Sequence, residues 1–172
     1  MVVVKTVLMK AFRAPIIWLI LLYAIFFCCL AFTARQLPER VASHFSTGGQ
    51  ADGWMSRSAY LQFISIFGSI VPLFIIMVFR SLPMNLINVP NRDFWFAPER
   101  FAQSHDYIFR QSFWFACLMI GLFTGVHLAI IQANGQSSAR LSLPVLLGVL
   151  GIFMIGILTW AANLFRHFSR TN

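Results

Sequence analysis

The side chains best suited to acid–base or metal chemistry lie in one short polar segment between two apolar stretches. His44 and Asp52 are eight residues apart, and Glu39 precedes both. A histidine with one or two carboxylates suits a divalent metal, and a His–carboxylate pair also suits general-base catalysis. The segment has no HxxxH or HExxH spacing and no nucleophile motif. We therefore predict no catalytic site, cofactor or metal, and interpret His44 and Asp52 as partners that bond to each other and to the loop backbone.

The composition indicates that a membrane protein carries these residues. Hydrophobic residues make up 59% of the 172 residues and charged residues only 10%, against about 45–50% and about 25% in soluble domains. Because so few charges cannot cover the surface of a soluble domain, the excess apolar side chains must face a lipid bilayer. The formal net charge of +8 is spread between apolar stretches, so nucleic acid is not an expected partner.

Four uncharged stretches are long enough to cross ~30 Å of hydrocarbon as helices. The predicted spans are approximately 14–34, 58–79, 111–131 and 142–165. Polar residues 132–138 are predicted to form a loop after the third span. Backbone groups in lipid must be satisfied within their own segment, so each span is predicted to be a helix. The predicted fold is all-α: one membrane domain, 1–172, built as a four-helix bundle.

Basic residues predict the orientation, because short loops rich in Lys and Arg stay cytoplasmic. With the N-terminus inside, the external set has four members, Arg35, Arg40, Arg57 and Arg140. The cytoplasmic set has nine: Lys5, Lys10, Arg13, Arg80, Arg92, Arg100, Arg110, Arg166 and Arg170. This imbalance predicts an N-in, C-in protein with loop 35–57 outside and loop 80–110 in the cytoplasm.

The external loop 35–57 combines turn-forming residues with apolar side chains that can pack on the bundle, which predicts an ordered loop. Whether it is strand-like, helical or irregular stays open. Its motif is Leu37-Pro38-x2-Val41-x2-His44-Phe45-x3-Gly49-x2-Asp52-Gly53-Trp54. The predicted ligand-recognition residues are Pro38, His44, Phe45, Gly49, Asp52, Gly53 and Trp54.

This motif resembles that of the bacterial domain-of-unknown-function family 1648, the N-terminal module of the Sdp immunity proteins. In that family the loop after the first membrane helix reads approximately LP..V..HF...G..DGW, and the immunity proteins protect cells from a secreted peptide toxin. The resemblance implies a multi-pass protein of the bacterial inner (plasma) membrane. It also implies a peptide toxin or envelope ligand as the external partner.

The second loop strengthens the resemblance. Residues 88–100 read NVPNRDFWFAPER, similar to the NxPNxxYW.APE.R stretch of single-module relatives, with Phe94 where Tyr is commoner. We favour a folded cap on the bundle, and the alternative is a docking surface for a cytoplasmic protein. The residues of this candidate docking loop are Asn88, Pro90, Asn91, Asp93, Trp95, Pro98, Glu99 and Arg100.

Small residues in the third span predict close helix packing. Gly121, Gly125 and Ala129 recur at four-residue intervals, a spacing that lets membrane helices approach. We favour packing within the bundle, with oligomerisation as the alternative. His127 follows Arg110 by about 25 Å of helix, so we expect it at the outer interface, hydrogen-bonded to a neighbouring helix or to headgroups.

Together these features predict a non-enzymatic membrane protein that recognises a peptide or envelope ligand through its external loop. The alternative is a small membrane enzyme or metal-dependent protein. Its outer-face site would use His44, Asp52 and Glu39, with His127 as a further candidate.

Overall fold

A computed structural model describes the backbone of residues 2–171 and the side chains of residues 12–84 and 86–171. The elements in order are α1 (Val2–Thr33), β1 (Arg40–Phe45), β2 (Ala51–Ser56), α2 (Arg57–Ser81), α3 (Arg92–Trp95), α4 (Pro98–Asn134) and α5 (Leu143–Ser169). Four helices of the described chain are long and apolar enough to cross a membrane. The predicted all-α membrane fold is confirmed. Lys5 and Lys10, used above to predict orientation, lie outside the described side chains.

The bundle is organised around α4, because α1, α2 and α5 all pack against it. Phe26 of α1 and Ile120 of α4 are fully buried in the main core, together with Ile64 of α2. The Phe26 ring lies so close to Gly68 that a β-carbon at this position would collide with it. Because Gly68 has no side chain, α1 and α2 can approach each other closely, as helices do at small residues in membrane bundles.

Helix α4 is longer than the third predicted span. It begins at Pro98 and ends at Asn134, so the second half of the predicted loop 80–110 is helical, and so is the start of the predicted loop 132–138. The charges that delimit an uncharged span do not end a helix, and proline fits the first helical turn. At 1.5 Å per residue the 37 residues of α4 extend about 55 Å, well beyond ~30 Å of hydrocarbon.

The loop predicted to be ordered is a β-hairpin. Strands β1 and β2 pair antiparallel, with Arg40 opposite Ser56 and Ala42 opposite Trp54. The register is irregular between Ala42 and His44, which is the signature of a β-bulge. Ser56 ends β2 and caps α2, since its hydroxyl accepts a hydrogen bond from the Ala59 N–H at 3.2 Å.

Hydrogen bonds from the Asn134 side chain and from the backbone of the α4–α5 connection hold the hairpin at the ends of the helices. The Asn134 side chain imitates a neighbouring strand: its Oδ1 accepts from the Ala42 N–H at 2.8 Å, and its Nδ2 donates to the Ala42 carbonyl at 3.0 Å. On the other side, the Ala51 N–H donates to the Ala139 carbonyl at 3.2 Å and the Leu141 N–H donates to the Gly49 carbonyl at 2.8 Å. The end of α4 and the α4–α5 connection therefore hold both edges of the hairpin.

Candidate functional site

His44 and Asp52 form a pair on the exposed face of the hairpin. Their Nδ1 and Oδ1 atoms are 2.5 Å apart, and 77% and 46% of the two side chains are exposed. Gly53 lies beside this pair, because a β-carbon there would approach the His44 Cβ to 2.8 Å. The absence of a side chain on Gly53 leaves room for the side chain of His44. Because both groups are largely in water, we expect the pair to shape the surface more than to stabilise the fold.

Glu39 and His127 do not join this pair. Within the described part of the chain, no group of three or more His, Cys, Asp or Glu residues is close enough to hold a metal. The four residues of the alternative outer-face site are thus not brought together. Only the pair of His44 and Asp52 remains together at the surface, and its imidazole and carboxylate can form hydrogen bonds or exchange a proton.

His127 is fully buried and bonds to neighbouring helices, as one of the two expected arrangements has it, but it is not exposed at an interface. The Thr33 hydroxyl donates to the Cys29 carbonyl at 2.7 Å, and the same oxygen lies 2.7 Å from His127 Nε2. Since the hydroxyl has only one proton, Nε2 must carry the imidazole proton and donate to Thr33. Nδ1 then accepts from the Tyr60 hydroxyl at 2.9 Å. This polar triad joins α1, α2 and α4, and the last two of these helices also contact the hairpin.

Several residues of the hairpin motif have structural roles. The Pro38 carbonyl accepts from Arg57 Nε at 3.3 Å, and Phe45 packs against the main core. Gly49 adopts a φ of 78°, and a β-carbon there would meet the Leu141 carbonyl oxygen at 2.6 Å. These contacts form the turn and hold it against the rest of the chain.

Trp54 is the large exposed side chain of the motif. Trp54 is 48% exposed. The guanidinium carbon of Arg40 lies 5.8 Å from the centre of the indole ring. That distance is within the range of cation–π attraction. An indole held on a braced strand offers apolar area and one hydrogen-bond donor at little entropic cost, as at binding surfaces.

Trp54 borders a polar cavity between the hairpin and the α4–α5 connection, which we call the hairpin cleft. Its volume is about 580 Å³, within the ~300–1,000 Å³ typical of ligand pockets. The lining residues are Pro38, Arg40, Gln50, Ala51, Trp54, Asn134, Gln136, Ser137, Ser138, Ala139 and Arg140. The contribution of residues 136–140 to the cleft does not follow from the sequence. Their polarity indicated only a loop, and no spacing rule relates them to residues 38–54.

The residues of the candidate docking loop build a cap at the opposite end of the bundle. Asn91 Nδ2 donates to the Phe168 and Ser169 carbonyls, both at 3.1 Å, and Trp95 Nε1 donates to the Phe168 carbonyl at 2.9 Å. The last carbonyls of a helix have no partner within the helix. Asn91 and Trp95 therefore satisfy the C-terminal end of α5.

The remaining docking-loop residues surround this cap. Pro98 starts α4, and Glu99 lies in its first turn, where a carboxylate is favoured by the helix dipole. Arg100 lies over the Phe94 ring, 3.9 Å from its centre. Pro90 is half-buried, whereas Asn88 and Asp93 are exposed. This arrangement is that of a folded cap, at whose surface Asn88, Asn91, Asp93 and Glu99 are exposed.

The three small residues predicted to pack helices have different surroundings. Ala129 is buried, and Gly125 faces α5, where a β-carbon would lie 2.7 Å from Val149 Cγ1. A β-carbon on Gly121 would meet nothing within 4 Å. A further close approach, which the sequence analysis missed, brings Gly156 of α5 against Leu118 of α4.

Comparison with known families supports the resemblance that the motif indicated. Residues 16–68 are matched by the family model described as Domain of unknown function (DUF1648). The match covers most of α1, the hairpin and the first half of α2. No curated protein and no solved structure matches the chain significantly. The protein is therefore a multi-pass membrane protein that carries a DUF1648 domain.

Proposed function

We propose that this chain is a non-enzymatic recognition module of the bacterial plasma membrane, which binds a peptide or envelope ligand through its external hairpin. The proposal combines the DUF1648 match over residues 16–68 with the motif's resemblance to the Sdp immunity proteins. The excess of basic residues at the other end of the bundle supports an outward-facing hairpin.

One observation carries the proposal: both edges of the hairpin are held by hydrogen bonds, yet the hairpin exposes an aromatic side chain next to a cavity. Asn134 fixes one edge and the α4–α5 connection fixes the other. Even so, Trp54 stays half-exposed beside a polar cleft. A hairpin that only connected two helices would need neither an exposed indole nor a cavity between fixed chain segments. Recognition residues on a fixed scaffold are the usual arrangement at binding sites.

The second candidate is a metal-dependent or hydrolytic protein. The exposed pair of His44 and Asp52 favours it, since this pair could bind a cation or move a proton. This candidate predicts stoichiometric metal in the purified protein that is lost in His44→Gln. Activity retained by metal-free protein would eliminate its metal-dependent form.

Survival of cells expressing the chain tests the recognition proposal. We expect a sensitive bacterial host to survive the secreted peptide toxin of the Sdp system when it expresses this chain. Trp54→Ala should abolish this protection, because it removes the exposed indole while leaving the backbone pairing of β2 in place.

Ser46→Ala is the matched control, since Ser46 lies exposed at the tip of the same hairpin and does not line the cleft. Protection should be unchanged in this variant, and both variants should reach the membrane at wild-type levels. Equal protection by wild type and Trp54→Ala, or no protection by either, would refute the proposal in this form.

A further inference from the structure

We infer that the hairpin cleft binds a peptide carboxylate between Arg40 and Arg140. The inference rests on the proposed function, because it names the chemistry of the ligand that the hairpin would recognise. It adds a residue, Arg140, that lies outside both the recognition motif and the family match over residues 16–68.

The cleft arises where two chain segments separate. Gln50 and Arg140 form an antiparallel bridge, and the backbone bond from Ala51 to Ala139 continues that pairing by one residue. Residues 136–138 and Trp54 line the cleft next to this pairing. The cleft is thus an opening beside a strand edge, and extended peptides bind such edges by strand pairing.

The charge of the cleft selects an anion. Arg40 and Arg140 both line it, and none of its described lining residues is acidic. The nearest carboxylate along β2, Asp52, is already paired with His44. Guanidinium groups bind carboxylates through two parallel hydrogen bonds, which also fix the direction of the ligand.

Arg140 is available for such a contact. Its only hydrogen bond shown for the guanidinium in the described part of the chain goes to the Gly48 carbonyl at 3.5 Å, which is long for an N–H···O bond. Its backbone, by contrast, is held firmly, since Gln136 Nε2 donates to the Arg140 carbonyl at 3.3 Å and Gln50 bridges to it. A guanidinium with one long hydrogen bond, on a backbone held by Gln136 and Gln50, can bind a ligand without a change in the loop.

A peptide fits this cleft better than a lipid headgroup. Beside the two guanidinium groups, the cleft offers a strand edge, the indole of Trp54 and the amides of Gln50 and Gln136. A headgroup phosphate would use only the positive charges. An extended peptide would also use the strand edge and place an apolar side chain against Trp54.

Peptide retention on the full-length protein in phosphatidylcholine nanodiscs tests the inference. The probes are two pools of the same random hexapeptides, one with free C-terminal carboxylates and one with C-terminal amides. We expect retention of the carboxylate pool to exceed that of the amide pool about tenfold or more, given the strength of charge-assisted hydrogen bonds. Arg140→Gln should remove this preference, and Arg140→Lys should retain part of it.

Arg35→Gln is the matched control, because it removes the same charge from an exposed external-set arginine that does not line the cleft. It should leave the preference intact. Unchanged thermal unfolding of Arg140→Gln shows that the loop still folds. If Arg140→Gln kept the preference, or if Arg35→Gln lost it equally, the inference would be overturned.

The remaining outcomes separate this inference from the proposed function. Equal retention of both pools, lost in Trp54→Ala, would leave the hairpin as a peptide site and overturn only the carboxylate assignment. Loss of retention when phosphatidylglycerol replaces part of the lipid would assign the cleft to a headgroup. Both proposals would be overturned if both pools were retained equally by the wild type, Trp54→Ala and Arg140→Gln. They would also be overturned if the protein retained neither pool.

Discussion

At the scale of single residues, the sequence predicts the pairing of His44 with Asp52 and a hydrogen bond from His127 to a neighbouring helix, but it does not identify the partners of His127. His44 and Asp52 are joined by a short segment rich in turn residues, so their pairing was foreseeable. His127 was placed at the interface because its distance from Arg110 was the only available measure. Its partners, Thr33 and Tyr60, lie on other helices, and spacing within one helix carries no information about them.

The buried triad yields a stability prediction. Tyr60→Phe removes the hydroxyl that donates to His127 Nδ1 and leaves a buried acceptor without its partner. We expect the free energy of unfolding in detergent to fall by about 0.6–1.7 kcal/mol, between the average and the largest value for interhelical hydrogen bonds in a membrane protein. Reversible denaturant titration of the purified protein measures this change.

A double-mutant cycle shows whether the loss comes from this bond. In the His127→Leu background, Tyr60→Phe should cost less than in the wild type, because the acceptor is already absent. Additive losses would mean that Tyr60 and His127 do not interact, and would contradict the triad.

At the scale of elements, apolar length predicted the number of spanning helices, but the charge of Arg110 misplaced the start of α4 and the polar run 132–138 misplaced its end. The helix begins at Pro98 and ends just before Gly135. The hairpin was foreseen as ordered but not as strands. Its strands depend on distant partners, above all on Asn134, which the sequence analysis had placed in a loop.

Two adjacent glycines in the hairpin turn make a matched prediction. Gly49→Ala should destabilise the hairpin, since its φ of 78° disfavours a side chain and a β-carbon would meet the Leu141 carbonyl. The conformational part alone costs about 1–2 kcal/mol. Gly48→Ala should have little effect, because the nearest atom to its β-carbon would be Ser46 Oγ at 3.9 Å.

The rate of limited trypsin cleavage after Arg40 and Arg57 reports this difference. Gly49→Ala should be cleaved faster than wild type, and Gly48→Ala at the wild-type rate. Equal cleavage of the two variants would mean that the turn does not depend on the conformation of Gly49.

At the scale of the whole molecule, the family match and the site do not coincide. The match ends at residue 68, whereas α4 is the helix on which the others pack and the α4–α5 connection completes the hairpin cleft. The sequence predicted the number of spans because hydropathy is local. The cleft could not be predicted, because it is formed by two segments that meet only in three dimensions.

The central claim is that the hairpin faces the outside of the cell, where a ligand can reach it. Single cysteines at Ser46 and Ala97, introduced after replacement of Cys28, Cys29 and Cys117, report the two ends of the bundle. A membrane-impermeant thiol reagent should label Ser46→Cys in intact cells and Ala97→Cys only after permeabilisation. Labelling with the opposite sidedness would place the hairpin in the cytoplasm and contradict its proposed role as an external recognition surface.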